Sequence, residues 1–257
     1  MADKKVETCY ACDQVATSRE HVPPKCLFPT ELGVNLRKDL IAVPSCDAHN
    51  RKKSDDDEFL LASLAGIVGC NEIGLSHKFT KVNRAIRRSG GRLMEKVLKG
   101  QNIQVHQLGD GSEVDVAWGK PDLKRLHDCF SLIVRGLYKH KYGKAFEGNI
   151  ICEVLYVPTT KRGRKGYREF AVAEMARELS PCKVEGENSE VFQWVLGPED
   201  PHGSSCARLA FYGNLVVYLA FISSKVKMKD FESLFDIAQT TEKPIYIQKD
   251  GKRYRIN

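Results

Sequence analysis

The chain has 257 residues, 42% of them hydrophobic and 28% charged, with a formal net charge of +7. That is enough apolar material for one large domain or two small ones, and it excludes disordered and fibrous classes. The cationic excess favours a polyanionic partner without establishing one.

The N-terminal segment MADKKVETCYACDQ has no apolar core of signal-peptide length. No stretch approaches the roughly 18 to 20 apolar residues of a membrane span, so a cytoplasmic protein with no membrane partner is expected. Nine cysteines is an odd count for a disulfide framework. In a reducing compartment, clustered cysteines read as metal ligands and dispersed ones, such as Cys26, Cys70, Cys129, Cys152, Cys182 and Cys206, as buried thiols.

The first informative pieces are Cys9-Tyr-Ala-Cys12, Arg19-Glu20-His21-Val22-Pro23-Pro24, Leu40-Ile41-Ala42-Val43-Pro44 and Ser45-Cys46-Asp47-Ala48-His49-Asn50. Two residues between ligands let a tight knuckle turn both donors toward one tetrahedral ion. Cys9, Cys12, Cys46 and His49 therefore form a Cys₃His set suited to a closed structural zinc site. Such an ion would hold together a segment too small to bury an adequate core. A zinc ribbon without a catalytic role has the same ligands.

Residues 55–69 open with acids and continue with apolar residues at helical spacing. A second helical stretch over 77–99 is basic on part of its surface, with Lys78, Lys81, Arg84, Arg87, Arg88, Arg92, Lys96 and Lys99, and Gly90-Gly91 breaks it. A third helix runs from Asp122 to about His140. Strands are expected at 150–158, 191–197, 206–212 and 215–223, with a tight turn at Gly213-Asn214 and a last hairpin turning at Asp250-Gly251. REFAVAEMAREL (168–179) reads as a short helix. The second half is thus an α+β domain on a mostly antiparallel sheet.

The string EHVPP, a β-like segment ending in VPSC, and a knuckle running directly into Asn before HNRKKSDDDEF resemble HNH (ββα-metal) endonucleases. Within that superfamily the chain is similar to the group with a CxxC pair before the catalytic histidine and a second knuckle followed by Asn. Here the second pair is Cys46-Asp-Ala-His49. The resemblance covers about residues 9–60. It implies His21 as general base, and Glu20 and Asn50 as ligands of a catalytic Mg²⁺ or Mn²⁺. Asp39 lies nearest to the place of the asparagine that orients the base in many members.

The chemistry asks for the same groups. Phosphodiester hydrolysis needs an activated water, a base for its proton, and a cation for the developing charge. Histidine titrates near neutrality, and carboxylate and amide oxygens are hard ligands that suit Mg²⁺ or Mn²⁺. Arg51, Lys52 and Lys53 are candidate phosphate contacts, as is the basic loop carrying Lys161, Arg162, Arg164, Lys165 and Arg168.

The expected organisation is a nuclease module at 1–75, a helical region with a basic surface at 76–145, and an α+β domain at 146–257 for recognition of substrate, a second copy or a partner protein. The expected function is metal-dependent hydrolysis of DNA, with RNA not excluded. The resemblance implies a role in phage defence, restriction or mobile-element biology. The alternatives are a zinc-containing nucleic-acid-binding adaptor without catalysis, and a C-terminal small-ligand sensor, for which no Gly-rich phosphate loop is present.

Overall fold

The computed structural model describes residues 6–226 and 246–255, apart from 52, 108, 110, 112, 159–161 and 250. The fold is α+β. Strand β1 (Ser18–His21) pairs antiparallel with β2 (Ala42–Ser45), setting Glu20 opposite Val43 and His21 opposite Ala42. Helices α1 (Asp47–Arg51) and α2 (Lys53–Leu64) follow, in β-β-α order. Asp55 and Asp56 lie in the first turn of α2, where carboxylates complement the helix dipole. The helix ends at Leu64, short of the expected residue 69.

Helix α3 (Glu72–His77), a π-helical stretch (Lys78–Val82) and α4 (Asn83–Arg88) run on from one another. Gly90 and Gly91 both take positive φ, 59° and 83°, a conformation glycine adopts without penalty. They separate α4 from α5 (Arg92–Val97). The helical run thus starts before the expected residue 77 and stops at Val97.

There the chain becomes β3 (Leu98–Gln107), which pairs with β4 (Glu113–Pro121). This ribbon has no counterpart among the expected elements. It is exposed along most of its length, including Ile103, Val105 and Trp118.

Helix α6 (Leu123–Tyr142) is stopped at both ends by local chemistry. The Asp122 carboxylate accepts from the Arg125 backbone N–H at 3.2 Å, and Gly143 closes the far end in the left-handed region at φ 70°. Leu126, Phe130, Ile133, Val134 and Leu137 form its buried stripe.

Strands β5 (Gly148–Val154), β6 (Phe192–Leu196), β7 (Ser205–Phe211) and β8 (Leu215–Ser223) make one antiparallel sheet in the order β5-β8-β7-β6. Alternation divides its two faces. Phe211 and Phe221 meet Phe130 and Tyr138 of α6 at ring distances of 5.6 and 5.7 Å. On the other face Val195, Cys206 and Tyr218 pack with Leu179 of α7 (Arg162–Leu179). The closing hairpin, β9 (Tyr246–Lys249) and β10 (Lys252–Arg255), lies along α7, where Phe170 meets Tyr254 at 5.2 Å.

The three expected segments share one buried core, which runs from Cys9 and Val22 through Phe59, Val82 and Phe130 to Phe221. Gly136 of α6 shows how closely they fit, since a Cβ there would lie 2.5 Å from Val22 Cγ1. Among the described residues, no helix is long and apolar enough to cross a membrane.

Candidate metal centre and the strand beside it

The N-terminal knuckle is docked before any ion is considered. Cys9 N–H donates to Gln14 O at 2.8 Å, closing the turn, and Tyr10 N–H donates to Pro44 O at 2.9 Å, fixing it against β2. Opposite it, the backbone N–H groups of His49 and Asn50 both donate to Cys46 O, at 3.1 and 3.0 Å, and so start α1. Tyr10 is fully buried beside the His49 ring, centroid to centroid 6.3 Å.

These turns bring Cys9, Cys12, Cys46 and His49 together, with all four donor atoms within 4.8 Å of one another. Cys12 Sγ lies 3.7 Å from Cys46 Sγ. His49 Nδ1 lies 3.6 Å from Cys9 Sγ, 3.5 Å from Cys12 Sγ and 3.3 Å from Cys46 Sγ. For a tetrahedron with Zn–S of about 2.3 Å and Zn–N of about 2.0 Å, the edges are about 3.8 Å for S···S and about 3.5 Å for S···N. The measured separations match those edges. None of the nine cysteines is in a disulfide, so no such bond competes for the sulfurs. The cluster could therefore bind a metal such as zinc.

The protons of the set are unevenly held. Burial pushes the Cys46 thiol up, but hydrogen bonds from the His49 ring and backbone and from the two neighbouring cysteines bring it down to about 6. Burial, with the adjoining thiols, raises Cys12 to about 11. Cys46 is thus the sulfur whose surroundings favour the thiolate, the form that binds metal.

Asn50 follows His49 directly, and its side chain reaches back to β1. Its Nδ2 donates to Ser18 Oγ at 2.8 Å, and Ser18 Oγ donates to Ser45 O at 3.2 Å. With the amide nitrogen engaged in this way, Oδ1 makes no hydrogen bond to another described residue. Ser18 and Glu20 are two apart on β1 and share one face. Asn50 therefore sits against the face that carries Glu20.

His21 ends the strand and is half-buried. Its Nδ1 is sealed from solvent with no hydrogen-bond partner among the described residues. Arg19, on the alternate face, is exposed and donates to Ala42 O at 2.7 Å. Asp39 is turned outward in a left-handed conformation (φ 51°) and pairs with Lys38. Asp56 is engaged by Arg125, whose Nε donates to Oδ1 at 2.7 Å and whose guanidinium lies 4.4 Å over the Phe59 ring.

The basic residues expected on a loop at 161–168 are differently placed. Arg162, Arg164, Lys165 and Arg168 belong to the first turns of α7. The Arg168 guanidinium donates to Val157 O at 2.7 Å and to Val154 O, and pairs with the buried Glu153. It is held by protein acceptors on the sheet side of α7 and is not an exposed loop cation. Lys165 is exposed. Arg51 and Lys53 lie in α1 and α2, while Lys52 and Lys161 fall outside the described residues.

Ser18 is the residue that sequence reading missed. Its signal was a hydroxyl two positions before Glu20 on the same strand face. No known protein family, curated protein or solved structure matches the chain.

Proposed function

We propose that the chain is a metal-dependent endonuclease of HNH type that hydrolyses phosphodiester bonds in DNA. The observation that carries this reading is the hydrogen bond from Asn50 to Ser18. It ties the residue next to a metal-ligand histidine to the strand that holds Glu20 and His21. In this reading Cys9, Cys12, Cys46 and His49 hold a structural zinc ion, which fixes where α1 begins and so where Asn50 stands.

Glu20 and the free Oδ1 of Asn50 would hold Mg²⁺ or Mn²⁺, hard cations that prefer oxygen to the sulfur-rich zinc set. When bound, that cation supplies charge stabilisation at the scissile phosphate and the leaving oxygen. His21 takes the proton of the attacking water. Ser18 keeps the Asn50 amide from rotating. Reduced cysteines are a condition of this arrangement, and a cytoplasmic location would meet it.

The test is a nicking assay on supercoiled plasmid with Mg²⁺ or Mn²⁺, run beside Asn50→Ala and Glu20→Gln at matched zinc content. Metal-dependent relaxation of the plasmid, lost in both variants, is expected. Binding of DNA without strand breakage under any divalent ion would leave the rival reading, a zinc-containing adaptor.

A further inference from the structure

The cations of 78–99 form a surface that the proposed active centre does not use. Val82, Ala85, Leu93 and Val97 bury one side of the α3–α5 run, and the charged side is left outward. Two open grooves follow along it. The first, of about 570 Å³, is lined by Thr30, Glu31, Lys81, Arg84, Arg87 and Arg88. The second, of about 380 Å³, is lined by Arg92, Glu95, Lys96, Lys99, Asp122 and Arg125.

Three of these cations are matched by acids: Arg84 by Glu31 at 3.4 Å, Lys99 by Asp122 at 3.2 Å, and Arg125 by Asp56 at 2.6 Å. Lys81, Arg87, Arg88, Arg92 and Lys96 make no ion pair with another described residue. Their charge is open to a ligand. Helical neighbours three or four apart stand about 5 to 6 Å from each other at Cβ, so the grooves offer a row of positive charge and not one focus. The row is shallow, and Arg87, Arg88, Arg92 and Lys96 are all exposed. A small phosphate ligand needs enclosed, convergent donors, whereas a strand of phosphates needs only successive cations.

Two elements link the grooves to the candidate centre. Glu31 belongs to the connection that leaves β1 after His21, and α5 packs on α2, the helix that follows Asn50.

We infer that the face from Lys81 to Lys99 holds the phosphate backbone of duplex DNA beside the point of cleavage. This rests on the nuclease reading for its substrate, but its own evidence is the two cation-lined grooves. Lys81, Arg87 and Arg88 take one stretch of backbone, and Arg92 and Lys96 continue it past the Gly90-Gly91 bend.

The experiment is fluorescence anisotropy of a labelled duplex with the full chain, without divalent ion, between about 50 and 200 mM salt. Each lost phosphate contact reduces the slope of log affinity against log salt by about 0.9. The triple variant Arg87→Gln/Arg88→Gln/Arg92→Gln should therefore shrink the salt-dependent loss of affinity over that range by roughly fortyfold. Lys183→Gln, a control beyond α7, should not change it.

An unchanged slope in the triple variant overturns the inference. So does tighter, arginine-dependent binding to single-stranded RNA or to anionic lipid vesicles than to the duplex. Arginine-dependent duplex binding with no nicking in Mg²⁺ or Mn²⁺ would remove the nuclease reading and leave this surface standing. Normal nicking by a triple variant with an unchanged slope would do the reverse.

Discussion

Cys46 and Ser18 are single side chains on which the account makes separate demands. Cys46 would be one corner of a tetrahedron whose donors are brought together by backbone hydrogen bonds of the two knuckles. Cys46→Ser should lower bound zinc from about one ion per chain to well below half, because a hydroxyl is a poor replacement for a thiolate on zinc. Elemental analysis after gel filtration measures this, and full zinc retention would contradict it. Ser18 acts one step from the proposed chemistry, as a positioning residue for Asn50. Ser18→Ala should leave zinc content and fold unchanged yet slow nicking about tenfold, the usual scale for residues that orient a ligand. Ser18→Thr, which keeps the hydroxyl, should restore most of the rate. Equal rates in all three proteins would show that Asn50 needs no such support. The cysteine–histidine cluster was legible in the sequence because a CxxC or CxxH knuckle is a local object. Ser18 was not, because its partner lies 32 residues away.

At the scale of elements, two of the contacts that hold the β-β-α unit onto the rest of the chain can be tested singly. In the first, the Tyr212 hydroxyl donates to Leu27 O at 2.7 Å and pairs with His77 Nδ1 at 3.2 Å. Burial, with Lys81 and Arg37 nearby, lowers the His77 pKa from 6.5 to about 4, against a smaller opposing effect of Glu31. The neutral ring is therefore the native form, and between those values the unfolded chain binds the proton that the fold refuses. Stability from this group is complete above pH 6.5 and is lost as pH falls toward 4, by about 3 kcal/mol in all at ~1.36 kcal/mol per unit. Urea unfolding at several pH values should show this acid limb, flattened in His77→Phe; the same limb in both proteins would assign it elsewhere. The second contact is Gly136 against Val22, the residue after His21. Gly136→Ala should destabilise by about 1 to 3 kcal/mol through overpacking, less the gain in helix propensity. Val22→Ala in the same chain should recover most of that loss, and additive losses in the double variant would refute the contact. Helix α6 was legible because its stripe, its Asp122 cap and its Gly143 stop agree. The ribbon β3–β4 was not, although Ile103-Gln-Val105 and Val114-Asp-Val116-Ala-Trp118 alternate, because it stays largely exposed and no buried face sets it apart from a loop. The start of α7 was hidden by its composition: RGRKGYR reads as loop until Arg168 and Gly166 meet the sheet and β10.

For the whole molecule, one buried core joins the cysteine cluster to the sheet, which favours a single cooperative unit. Zinc release and loss of circular dichroism should then coincide in urea, and release of zinc well before the sheet melts would contradict a shared core. The basic run at 78–99 was visible in the sequence as composition, but which cations stay open depends on where Glu31, Asp56 and Asp122 fall in space. In the proposed function, the geometry organised by the cysteine cluster serves strand cleavage. Its most direct test is the rate of supercoiled-plasmid nicking in Mn²⁺ by the intact chain and by His21→Ala at equal zinc content. The account predicts a metal-dependent rate that falls at least a hundredfold in the variant, as loss of a general base does. Equal rates in the two proteins, or no cleavage by either, would contradict it.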